Sequence, residues 1–163
     1  MTGMVLRLGY LGSPDAAARI AVAVGDAAVE LAEASIAAPF ATLRGGAVDV
    51  LVTRFDIAEP DLTTGPVLFV EDRVLAVGAG HPLAARDAVD TEDIADHEVF
   101  ERPEMFPAGA YDQLVPPRSA SGRPIRDLPP APVTLTWRGN DNRPSVRAFV
   151  TAAAGAFPSG ARL

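Results

Sequence analysis

The order in which apolar runs and helix-like stretches succeed one another predicts an α/β domain, with a mainly parallel sheet flanked by helices. Strand, helix, strand, helix and strand follow one another within residues 5–54, an alternation that calls for right-handed crossovers between parallel neighbours. The third of these strands, Val48–Thr53, is nearly continuously apolar, as expected where both faces of a sheet are covered.

The first strand is Val5–Tyr10, with Gly12 marking the turn after it. Ser13-Pro14-Asp15 then reads as a helix start: a hydroxyl to cap, a proline whose missing N–H costs nothing, and an acid in the first turn. The helix runs through Ala16–Val24, with Ile20 and Val24 at helical spacing, and ends at Gly25. Val29–Glu33 alternates as a second strand. A second helix is expected from about Ser35 to Arg44, stopped by Gly45-Gly46 in a left-handed cap.

Beyond Thr53, Pro66–Val70 and Val74–Val77 read as two short strands around Glu71-Asp72-Arg73. Thr91–Ala95 reads as a short capped helix and His97–Phe100 as a strand. Residues 101–132 are rich in proline and lack periodicity, so they are expected to be mostly loop or crossover. Val133–Trp137 restores a strand, and Pro144–Phe157 forms a last helix with Val146, Phe149, Val150 and Ala153 on one face.

Composition narrows the function classes. The 163 residues are 48% hydrophobic and 21% charged, which is ordinary for a globular domain and too apolar for a disordered one. There is no Cys and there are two His, which excludes disulfides, thiolate chemistry and multi-His zinc sites. The net charge of −7, with Arg as the sole basic residue type, argues against direct contact with a nucleic-acid backbone. No run is long and apolar enough for a membrane span, and Met1–Tyr10 lacks the pattern of a secretory signal, so a cytoplasmic location is expected. His81 invites an acid–base role, yet no Ser or Cys nucleophile in an elbow context accompanies it. Glu71-Asp72 and Asp90–Asp93 suggest capping and a solvated face rather than a metal site. No enzyme, cofactor or metal is therefore expected.

Four stretches carry a resemblance. Leu6-Arg7-Leu8-Gly9-Tyr10; Glu33-Ala34-Ser35 followed by Leu43–Val50; Glu71–Val77 leading into His81-Pro82-Leu83-Ala84; and Val133–Trp137 with Arg147-Ala148-Phe149 together resemble the effector-binding domain of LysR-type transcriptional regulators. That resemblance implies a type 2 periplasmic-binding-protein fold. It implies a larger lobe at 5–68 plus 128–163, and a reduced second lobe with its crossover at 69–127. No counterpart of the family's helix-turn-helix domain is expected in this sequence.

The resemblance also implies an effector between the lobes, near the ends of the first three strands, where open parallel sheets place their ligands. Ser13 and Ser35 follow the first and second strands. Either contributes a hydroxyl to a ligand or a simple helix cap. Arg54 and Phe55 follow the third strand, where an Arg pairs with an anion or stays solvated. Phe100 and Arg102, with Glu101 between them, are expected to face the cleft from the second lobe. The implied partners are a small-molecule effector, a carboxylate or aromatic acid, and a second copy of the chain in a homodimer packed through the first two helices and strands. The alternative is a ligand-free dimerisation domain acting on a full-length regulator. A solute-binding protein of the same fold is a more distant reading.

Overall fold

A computed structural model describes residues 5–25, 28–98 and 120–158. The chain runs β1 (Leu6–Tyr10), α1 (Asp15–Val24), β2 (Val29–Glu33), α2 (Pro39–Arg44), β3 (Val50–Thr53), β4 (Leu62–Thr64), β5 (Phe69–Glu71) and β6 (Val74–Gly78). A 3-10 turn at Pro82–Ala85 and α3 (Thr91–Ala95) follow. β7 (Ala120–Pro124), β8 (Ala131–Arg138) and α4 (Pro144–Ala156) complete it.

Six strands form one sheet in the order β2-β1-β3-β8-β4, with β5 also paired to β8. β1 pairs in parallel with β2 and β3, whereas β8 runs antiparallel to β3, β4 and β5. Five of the six strands therefore point the same way, and β8 alone opposes them. The mainly parallel α/β architecture read from the sequence is the one observed.

Strand alternation decides what each face carries. Leu6 and Leu8 of β1, Val50 and Val52 of β3, and Val133 and Leu135 of β8 share one buried cluster. Against it pack Ala16, Ala17 and Ile20 of α1 and Val146, Phe149 and Ala153 of α4, each on one face of its helix. The opposite face buries Leu11, Ala34, Val48, Leu51 and Phe55 under Leu43 of α2. Burying a Leu, Val or Phe side chain contributes about 1.5–3 kcal/mol, so the two clusters account for much of the stability. Gly9 permits close approach on the second face: a Cβ there would lie 2.9 Å from Leu51 Cδ1 and 3.1 Å from Val48.

Several expectations are corrected. The second helix starts at Pro39 rather than Ser35. Proline opens a helix well but drives the residue before it out of the helical region, and Ala38 has φ −144°. Its C-terminal glycines divide the work, Gly45 staying right-handed at φ −73° while Gly46 turns left-handed at φ +74°. The third strand begins at Val50, two residues later than expected. β4 was not foreseen: it is three residues long, and its pairing partner β8 lies far away in sequence.

The non-periodic stretch read as loop contains β7, whose Ala120–Pro124 pairs antiparallel with Gly78–Val74 of β6 in a separate two-stranded sheet. Gly and Pro hide that strand from periodicity. Residues 101–119 lie outside the described residues. The strand expected at His97–Phe100 is absent from His97 and Glu98, and its remaining two residues also lie outside the described ones.

Around the small sheet, Val89 bridges to Ile125 and Arg123 Nε donates to the Ala84 carbonyl at 2.9 Å. The Asp93 carboxylate accepts the Asp90 N–H at 2.9 Å, capping α3 as its sequence suggests.

Candidate functional site

The parallel register Tyr10↔Glu33 and Gly9↔Leu51 brings the carboxyl ends of β1, β2 and β3 together on one rim of the large sheet. The residues named from the sequence leave from that rim. Gly12 turns the chain after β1 with φ +73°, a conformation that suits glycine. The Ser13 hydroxyl then accepts the Asp15 N–H at 3.3 Å, a local bond at the start of α1, while Pro14 occupies the cap position. The α1 amino terminus thus faces this rim with its positive dipole end.

Ser35 is exposed and lies four residues ahead of α2, so it does not cap that helix. Its carbonyl accepts the Ala38 N–H at 3.2 Å in a turn. Phe55 turns inward: it is 9% exposed, belongs to the α2-side cluster, and its ring centroid is 6.1 Å from that of Phe40. Phe100 and Arg102 lie outside the described residues, as does Glu101.

Arg54 is the cation that follows β3 at this rim. Its Nε donates to Glu71 Oε2 at 2.6 Å, and the two side chains are 14% and 29% exposed. Glu71 ends β5, so the pair ties the end of β3 to the strand that leads toward the small sheet. Just before it, Thr53 is fully buried. Its Oγ1 lies 2.9 Å from Thr134 Oγ1 and 3.0 Å from Thr136 Oγ1, and Thr64 extends the chain of hydroxyls at 3.2 Å from Thr136. These hydroxyls satisfy one another inside the protein and pin β3 to β8. Sequence reasoning did not connect Arg54 with Glu71 or single out the threonines. The alternation of Thr134 and Thr136 within an apolar strand was the available signal.

The other end of β3 carries a denser charge network. Asp49 is 2% exposed, and its carboxylate accepts the Arg7 backbone N–H and Arg143 Nη2, each at 2.8 Å. Asp141 accepts Arg138 Nη2 at 2.7 Å and Arg143 Nη2 at 2.6 Å. Arg138 also donates to the Val48 carbonyl at 3.2 Å. Burial pushes the Asp49 carboxyl upward, but the bonds from Arg7 and Arg143 outweigh it and the net direction is downward. Asp141 is held far below the usual carboxylate range, chiefly by Arg143. A shallow cleft of about 590 Å³ beside this network is lined by Arg44, Asp61, Thr63, Arg138 and Asn140. Arg44 is itself held by Asp61 at 2.7 Å and by Glu59.

In the smaller sheet, His81 Nδ1 accepts the Leu83 N–H at 3.1 Å and caps the 3-10 turn, and its ring lies 4.7 Å from that of His97. These rings border an apolar cavity of about 260 Å³. Among the described residues, no three His, Asp or Glu side chains come together in a way that would hold a metal ion.

A family model described as the LysR substrate binding domain matches residues 8–116, more than half of the chain. This chain is a LysR substrate-binding domain. The solved structures similar to it share its fold at low identity. The effector-binding domain of QuiR in complex with shikimate is 15% identical, with a TM-score of 0.68, over 92% of this chain and 95% of that one. The BenM effector-binding domain with its effector benzoate is 17% identical, with a TM-score of 0.58, over 92% and 90%. The reduced OxyR regulatory domain from Pseudomonas aeruginosa is 17% identical, with a TM-score of 0.60, over 93% and 99%. A comparison with curated proteins finds no match. The LysR substrate-binding domain therefore has the type 2 periplasmic-binding-like fold that its sequence implied, and no helix among its described residues is long and apolar enough to cross a membrane.

Proposed function

We propose that this LysR domain binds a small carboxylate or aromatic acid at the rim formed by the ends of β1, β2 and β3, and acts as a sensor rather than a catalyst. The observation that supports this reading is that Ser13, Ser35 and Arg54 follow the carboxyl ends of the neighbouring strands β1, β2 and β3, with the α1 amino terminus opening just after Ser13. Arg54 supplies a planar fork suited to a carboxylate. Phe55, packed beneath this rim, supports its floor. We assign the larger lobe to 5–68 plus 128–163, and the crossover segment, which includes β5, with the reduced second lobe to 69–127. Ligand binding shifts the balance of lobe arrangements, and the rest of a regulator reads the shift. The fitting location is the cytoplasm.

Benzoate and shikimate are bound by the relatives named above, which makes them reasonable first probes. Thermal unfolding in their presence tests the reading: a ligand at 100 times its Kd contributes about 2.7 kcal/mol. Over a panel of small carboxylates, at least one is expected to raise Tm by several degrees, and Arg54→Ala is expected to abolish the rise. A flat response throughout rejects the proposal.

A second copy of the chain is the other proposed partner. Val22 on α1 is 81% exposed and Val5, just before β1, is 49% exposed, so the elements expected to pair carry apolar side chains open to a partner. Sedimentation is expected to show a dimer that Val22→Asp converts to monomer with Tm nearly unchanged. A wild-type monomer at all concentrations would remove this partner. The internal pairing of Arg54 with Glu71 favours the second reading, a ligand-free interaction domain. Under it Ser35→Ala and Arg54→Ala leave every activity intact.

A further inference from the structure

Resting on the rim as effector site, we propose that Glu71 is a built-in competitor for the effector: its carboxylate occupies Arg54 until an anionic ligand replaces it, and the replacement loosens the link from β5 to β6, which acts as a hinge between the two sheets. Arg54 is the cation that immediately follows β3, and the group now held by its Nε at 2.6 Å is already a carboxylate. A ligand carboxylate presents the same pair of oxygens to the same fork, so exchange conserves the chemistry at Arg54. The pair is 14% and 29% exposed, so it is sheltered enough for the bond to matter and open enough for a small anion to reach it.

The two partners differ in how firmly they are held. Arg54 extends from a strand end pinned by the buried Thr53, Thr134 and Thr136 hydroxyls. Glu71 is the last residue of the three-residue β5, and three residues later β6 begins the smaller sheet. The returning crossover lies alongside: Ile125 N–H donates to the Arg73 carbonyl at 3.0 Å, and Arg73 Nε to the Pro129 carbonyl at 3.0 Å. Glu71 therefore stands where the chain passes between the sheets. When a ligand takes Arg54, Glu71 loses its partner and swings to water, and the end of β5 is no longer fastened to β3. Occupancy is in this way transmitted to the hinge. The competing carboxylate lowers the apparent affinity by the fraction of molecules whose Arg54 is free. It also selects for anions, because an uncharged ligand has nothing to exchange.

Calorimetric titration of wild type, Glu71→Gln and Arg54→Gln with benzoate, shikimate and acetate tests this, with benzamide as the uncharged isostere of benzoate. Circular dichroism and Tm establish that each variant is folded. Glu71→Gln is expected to bind a carboxylate roughly tenfold more tightly than wild type, the scale of one lost charge-assisted competitor. Its affinity for benzamide should not change, and Arg54→Gln should lose carboxylate binding. Amide hydrogen exchange over residues 69–74 should rise on adding ligand to wild type, toward the rate of unliganded Glu71→Gln. If Arg54→Gln loses binding while Glu71→Gln binds as wild type, the site stands and the exchange alone is overturned. If Arg54→Gln binds as well as wild type, or if no carboxylate binds either wild type or Glu71→Gln, the site and the exchange fall together.

Discussion

The two ends of β3 hold their charges in opposite ways. At the amino end, buried Asp49 accepts the Arg7 backbone N–H and the Arg143 guanidinium, and Arg143 is shared with Asp141, which Arg138 also holds. At the carboxyl end, Arg54 has one carboxylate among the described residues, Glu71, in a partly exposed pair. The amino-end network ties β1, β3, β8 and the start of α4 into one unit, and each group in it has more than one reason to stay. A charge buried with several donors is costly to disturb, because removing it leaves the others unpaired. A single pair near solvent is cheap to open. Within one strand, then, over-determined electrostatics build the lobe and under-determined electrostatics leave a group available for exchange.

The largest expected effect follows from breaking the amino end. Asp49→Asn keeps the shape but removes the charge that Arg143 faces, and its amide cannot accept equally well from both the Arg7 N–H and Arg143. A loss of about 3 kcal/mol in unfolding free energy is expected by denaturant titration. A loss below about 0.5 kcal/mol would erase the contrast between the two ends. Acid sharpens the same point. The folded Asp49 and Asp141 carboxyls lie below their ordinary values, so their contribution is complete above the unfolded-state value near 3.9 and disappears as pH falls through the lower folded values. Wild-type stability should therefore decline below about pH 4. Asp49→Asn, which has already lost one of the two groups, should decline less steeply over the same range.

This contrast also marks what was legible in the sequence. The strands β1 and β2, the helices α1 and α4, and the family resemblance came from local signals: apolar period, caps and turn glycines. Those signals are local because each element buries a face that its own residues define. β4 and β7 were not visible, since each is short and owes its existence to a partner more than 40 residues away. The start of α2 was misplaced because Pro39 outweighs the hydroxyl of Ser35 as a helix opener. At the site, Arg54 was recognisable as a cation on a strand end, but its bond to Glu71 spans 17 residues and joins two separate strands. Phe55 could not be distinguished from a ligand contact by its position, because which way a residue turns just past a strand depends on what packs there. The Asp49 network was illegible for the same reason: its Arg partners come from β1, the end of β8 and the residue before α4.

The smallest expected effect lies at the carboxyl end, and it is diagnostic because it is small. Glu71→Gln removes the charge of a pair that water partly screens, so about 0.5–1 kcal/mol of stability should be lost. Arg54→Gln should cost a similar amount, and the double variant little more than either alone, since both single changes break the same bond. Such a result would leave the lobe folded with Arg54 or Glu71 neutralised, as an exchangeable contact requires. A loss of 3 kcal/mol or more in either single variant would mean that the pair is as structural as Asp49. The two ends of β3 would then be alike, and an incoming carboxylate would have to unfold the rim in order to bind.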